Sequence, residues 1–164
     1  MNLHEAYARG RVVNNTIDRV NNLNRRMYQF QELLKRELKV SELSKHLFNI
    51  IDAIEDLERE RVCEVTLTIG EDTQKVYVNI VDQNLFDDLV IYMASYTKSL
   101  AEFIKLKAEE DDDTELISII EDKTLNFLKT VKIFLDNVYE QLLKVGEEAM
   151  SFIESLEGVE NGIE

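Results

Sequence analysis

The chain has 164 residues, a formal net charge of −14, 45% apolar residues, no proline, five glycines and one cysteine. A single Cys63 excludes an internal disulfide, and five scattered glycines supply no phosphate-cradling loop. The acidic excess disfavours direct nucleic-acid binding and anionic membranes, and no apolar run approaches the roughly 20 residues that span a bilayer.

Residues 3–60 read as helix, interrupted or bent near residue 40. With Leu3 as heptad position a, the a positions are Leu3, Gly10, Ile17, Asn24, Gln31 and Leu38. The d positions are Ala6, Val13, Val20, Met27 and Leu34. This 3-4 spacing lets helices pack side by side, with Asn24 and Gln31 as polar residues on the seam. Past a phase slip at Val40–Ser41, a second run places Leu43, Leu47, Ile50, Ile54 and Leu57 on one face, with Ser41 as a candidate cap.

The period then drops to two. Cys63, Val65, Leu67 and Ile69 alternate with Glu64, Thr66 and Thr68, and Val76, Val78 and Ile80 return after the turn residues GEDTQ. This is a β-hairpin over 62–80. A two-stranded hairpin is marginal alone, so it must lie on helices or gain strands from another copy.

Helix resumes over 83–108, with Asp82 or Asn84 as cap and Leu85, Leu89, Met93, Tyr96, Leu100 and Phe103 or Ile104 as its stripe. Five consecutive acids, Glu109 to Asp113, read as an exposed turn. Asp113 or Thr114 then caps a long helix over 114–157. Ile117, Ile120, Phe127, Val131, Phe134, Val138 and Val145 line one seam, with Leu128, Leu135, Leu142, Ala149 and Leu156 beside it. Such a wide apolar face suits more than one neighbour. Residues 158–164 read as a frayed acidic tail. The expected fold is mostly α (α+β): one domain over 1–164, with long antiparallel helices forming a bundle or coiled-coil-like assembly around one inserted hairpin.

Chemistry-bearing constellations are sparse. His4 falls near the chain start and His46 within a helix, so no nucleophilic triad is spelled out. Cys63 shares the apolar side of its strand and reads as a small buried hydrophobe. The run DDDTELISIIED lacks the glycine of a calcium loop, since Leu116 stands in its place. Glu55 and Glu58 have the E-x-x-E spacing that resembles all-helical, Mg-dependent nucleotide pyrophosphatases, but the next helix offers no matching pair.

Charge is unevenly distributed. Residues 1–45 hold nine Lys/Arg against five Asp/Glu, whereas residues 46–164 hold ten against twenty-eight. In the heptad frame Arg11, Arg19, Arg25 and Arg26 lie off the seam, flanked by Asn14, Asn15, Asn21 and Asn22. This basic face either docks on the acidic remainder of this chain or another copy, or binds an anionic ligand, because Arg forks and Asn amides suit phosphates. Arg11, Arg19, Arg25, Arg26 and Asn22 are the candidate ligand-binding residues. No catalytic residue, metal or cofactor is expected. The functional expectation is a cytoplasmic, non-enzymatic interaction protein that binds a protein partner, as an acidic inhibitor or adaptor of phage or mobile-element type, and forms a homo-oligomer. The alternatives are an oligomeric binder or sponge of a small nucleotide-like anion and, third, the pyrophosphatase.

Overall fold

The structure is a computed structural model that describes residues 1–36, 40–60, 62–109 and 114–162. Its elements are α1 (Leu3–Leu34), α2 (Val40–Arg59), β1 (Val62–Ile69), β2 (Asp72–Asn79), α3 (Gln83–Glu109) and α4 (Thr114–Gly162). The fold is mostly helical, with one antiparallel hairpin among the described residues. None of its described helices is long and apolar enough to cross a membrane.

α1 starts where Asn2, in extended conformation, accepts the Glu5 backbone N–H at 2.9 Å. That bond satisfies one of the free donors of the first turn. His4 lies within this capped first turn. It is buried, and Nε2 lies 3.0 Å from the carbonyl of Asp72 in the hairpin turn region.

The seam of α1 differs from the a/d frame. Val13, Thr16, Val20, Leu23, Met27 and Phe30 are buried, which keeps the d positions but pairs them with g instead of a. Asn24 and Gln31 are exposed. The d residues are common to both frames, and the helix rotates toward the side where Leu23 and Phe30 supply large apolar groups and 24 and 31 do not. Thr16 tolerates full burial because its hydroxyl donates to the Val12 carbonyl at 2.7 Å.

α1 and α2 are separate helices folded against each other, not one bent rod. α1 closes with Lys35 and Arg36 N–H groups donating to the carbonyls of Glu32 and Leu33. Phe30 stacks on His46 and Arg26 reaches Asn49, so residue numbers run in opposite directions along the pair. Residues 37–39 lie outside the described set. Ser41 falls inside α2, one residue past its start, and is not at the cap position. The run Leu43, Leu47, Ile50, Ile54 and Leu57 is buried as its spacing predicts, joined by Ala53.

The hairpin pairs Val65 with Val76 and Cys63 with Val78 on its inner face. Its turn is tighter than GEDTQ suggests: only Gly70 and Glu71 separate the strands, and Asp72 to Gln74 join β2. Gly70 has φ 63° and no other described residue takes positive φ, the pattern of a two-residue turn that needs glycine at its first position. The inner face lies on α1.

Asp82 caps α3, accepting the Asn84 N–H at 3.0 Å, while its own N–H donates to Gln141 of α4 at 3.2 Å. Phe86, which the expected stripe omits, is buried and meets Phe134 edge-to-face at 5.1 Å. Tyr96 stacks on Phe127 at 4.5 Å, so α3 and α4 are antiparallel. α4 continues through Gly162, beyond the expected end at 157, so backbone 158–162 is helical and not a frayed tail. Of the expected acidic turn Glu109–Asp113, Glu109 is the last residue of α3, and 110–113, with the candidate cap Asp113, lie outside the described residues. Most of the expected α4 seam is buried; Val145 is half-buried and Leu156 lies at the surface.

α1 is the hub, contacting α2, α4 and both strands, while α4 carries α3 on its other side. Gly146 of α4 faces Val13 of α1 so closely that an added Cβ would meet the valine methyl at 3.4 Å. Side chains from all six elements merge in one apolar core.

Candidate functional site

The five basic-face residues are dispersed along one flank of α1. Arg19 reaches Glu60 at 3.5 Å, and Arg26 donates to the Asn49 carbonyl at 2.6 Å. Arg19 therefore holds the junction of α2 and the hairpin against α1, and Arg26 holds the middle of α2. Arg25 donates to Asn22 Oδ1 at 2.7 Å, one turn earlier on the same helix. Arg11 is exposed and reaches no acidic group among the described residues. The structure does not bring these five residues around a shared concavity.

Four grooves among the described residues lie elsewhere and form a series. Between α1 and α4, a concavity of about 630 Å³ is lined by Asn24, Tyr28, Gln31, Lys129, Lys132 and Ile133, with Met27 at its floor. A second, of about 530 Å³, opens at the α1–α2 end beside Tyr28, Glu32, Arg36, Glu42 and His46. A third runs between α4 and α3 past Asp88, Tyr92, Ile133 and Asn137. A fourth continues along Tyr92, Ser95, Lys123 and Asn126.

Adjacent grooves share a protruding side chain. Tyr28 separates the first two, Ile133 joins the first to the third, and Tyr92 the third to the fourth. These three are 62%, 63% and 55% exposed. These three large side chains stand out from α1, α4 and α3 between the grooves, so much of their apolar surface stays in water.

The central groove carries amides and cations and no acid of its own. Asn24 and Gln31 present amides, and Lys129 and Lys132 present cations; Lys132 lies 3.7 Å from Asp136 on its own helix. In the α1–α2 groove, the hydrogen bond from Lys35 holds the Glu32 carboxyl below its ordinary range. Burial lowers His46, with Glu42 opposing and Lys45 adding to the shift, so its imidazole is neutral at pH 7.

Cys63 is the principal nucleophile candidate, and its surroundings quiet it. Its Sγ lies 3.1 Å from the Glu60 carbonyl and 3.4 Å from the Glu60 carboxylate. Burial, then Glu60, pushes the thiol up to about 11, so the thiolate is scarce near neutrality. Glu55 is exposed, and among the described residues no three His, Cys, Asp or Glu side chains converge to hold a metal ion.

Sequence reasoning singled out the Arg face and overlooked Lys129, Lys132, Ile133 and Tyr92. The available signal was indirect: Asn24 and Gln31 fit poorly on a seam, and their actual place is the groove wall. No protein-family model, curated protein or solved structure matches this chain.

Proposed function

We propose that this chain is a non-enzymatic interaction protein that binds a protein partner across the α1–α4–α3 grooves, as an inhibitor or adaptor. The observation that supports this reading is the line of exposed Tyr28, Ile133 and Tyr92 over continuous grooves on three helices. Tyrosine and aliphatic side chains of this kind act as anchors in protein interfaces, with a polar rim setting register. The rim carries Lys129, Lys132 and Lys123, so the fitting partner presents apolar groups flanked by carboxylates. Affinity purification from the source cells with the native chain and an Ile133→Asp, Tyr92→Ala variant tests it. A partner retained by the native chain and lost by an equally stable variant supports the reading. Equal recovery by both removes the grooves from the interface.

A second reading, a binder of a small nucleotide-like anion, is favoured by the central groove alone. Two lysines, two amides and Tyr28 supply charge, hydrogen bonds and a ring within about 630 Å³. Nucleotides should then raise the melting temperature with the logarithm of ligand excess. Lys129→Ala with Lys132→Ala should abolish that rise, whereas Arg19→Ala with Arg25→Ala should not.

A further inference from the structure

The hairpin has an edge that nothing in the described chain covers. Its register is continuous from Val62↔Asn79 to Ile69↔Asp72, without a bulge. In a hairpin closed by two residues, the pair beside the turn exchanges hydrogen bonds and pairs alternate from there. Cys63, Val65, Leu67 and Ile69 therefore bond β2 through their backbones. The N–H and C=O groups of Glu64, Thr66 and Thr68 point the other way, and no backbone bond to another element engages them among the described residues.

Exposed edges are usually guarded by proline, a bulge, charged side chains or brevity. β1 has eight residues, no proline and no bulge. Its one charge, Glu64, lies 3.8 Å from Lys75 of β2. The opposite edge is guarded: it carries Lys75, and β2 runs on into buried Ile80 and Val81.

We propose that the β1 edge pairs antiparallel with the β1 edge of a second copy, joining two hairpins into one four-stranded sheet. A second copy is the fitting occupant because the strand is self-complementary about a two-fold axis. Centred on Val65, pairing sets Cys63 against Leu67 and Glu64 against Thr66. Centred on Thr66, it sets Val65 against Leu67 and Glu64 against Thr68. In both registers apolar residues meet on the face toward α1, threonine meets glutamate on the other, and no like charges stand directly opposite. Two chains of net charge −14 repel at long range, so added salt tightens this dimer.

Sedimentation across a concentration series, with amide exchange by NMR, tests it. The full-length chain should dimerise, more tightly in high salt. The amides of Glu64, Thr66 and Thr68 should exchange slowly in the dimer and fast at dilution, while those of Val65 and Leu67 stay protected in both. Thr66→Glu places acid against acid in either register and should raise the dissociation constant about ten-fold or more. Thr73→Glu, on the β2 edge but with its hydroxyl 2.7 Å from that of Thr68, should weaken it less than Thr66→Glu does. A monomer at all concentrations overturns the proposal. So does a dimer in which Glu64, Thr66 and Thr68 exchange as fast as in the monomer, or one broken by Thr73→Glu and not by Thr66→Glu. Exchange in the native chain decides the matter even if Thr66→Glu fails to fold.

Discussion

Phe30 and His46 stack with ring centroids 5.5 Å apart and planes 9° from parallel, which ties α1 to α2 near their junction. The contact carries a pH dependence. Burial lowers the His46 pKa, so on acidification the unfolded chain takes up this proton before the folded one does. Its share of stability is complete above the ordinary histidine value of 6.5 and declines as pH falls through that value toward the folded one. Melting temperatures of the native chain and His46→Gln, compared from about pH 8 to about pH 5, should diverge in slope, with the native chain losing more. Parallel curves would show that His46 is not the titrating group.

The rotation of α1 is testable by two adjacent substitutions. Leu23 is fully buried and Asn24 is exposed. Leu23→Ala should cost about 2–5 kcal/mol in urea unfolding. Asn24→Leu should change stability by no more than about 0.5 kcal/mol. If Asn24→Leu stabilised strongly, the seam would run through the a positions after all.

Two helical glycines should respond oppositely. A Cβ at Gly10 meets nothing within 4 Å, whereas one at Gly146 meets Val13 at 3.4 Å. Gly10→Ala should raise unfolding free energy by about 0.5–1 kcal/mol through helix propensity. Gly146→Leu should lower it by about 1–3 kcal/mol, because the side chain must push α1 and α4 apart. Equal effects at both sites would mean that the close approach is not sustained in solution.

In the α3–α4 core, the hydroxyls of Tyr96 and Thr124 lie 2.7 Å apart, and Thr124 lies 2.7 Å from the Ile120 carbonyl. Burial pushes the phenol up to about 12. Tyr96→Phe should cost about 1 kcal/mol, since Thr124 keeps the carbonyl. Thr124→Val should cost about 1–3 kcal/mol, since it strands the tyrosine hydroxyl in the core. Chemical denaturation of the two single variants and the double variant measures the coupling; strictly additive losses would show that the hydroxyls do not interact.

The elements were legible in the residues wherever a local period decides them. Alternation at Cys63–Ile69 marked a strand, the spacing of Leu43–Leu57 marked a buried helix face, and Asp82 or Asn84 marked a cap, which Asp82 supplies. Each depends on neighbours a few residues away, and the sequence alone contains that information. The seam of α1 was not decided locally, because a and g flank the same d residues and only the packing of α2 and α4 selects between them. The same rotation turned Asn24 and Gln31 from core anomalies into groove walls beside Lys129 and Lys132, which are far along the chain on α4. Of the basic face, Arg19 docks on Glu60 in the acidic remainder of the chain, as one of the two expected readings has it, and Arg26 is a tether to the Asn49 carbonyl. Local patterning determined what each segment of this chain is. Which side chains remained available to a partner was decided only when the helices came together, since burial is a property of pairs of elements and not of either one.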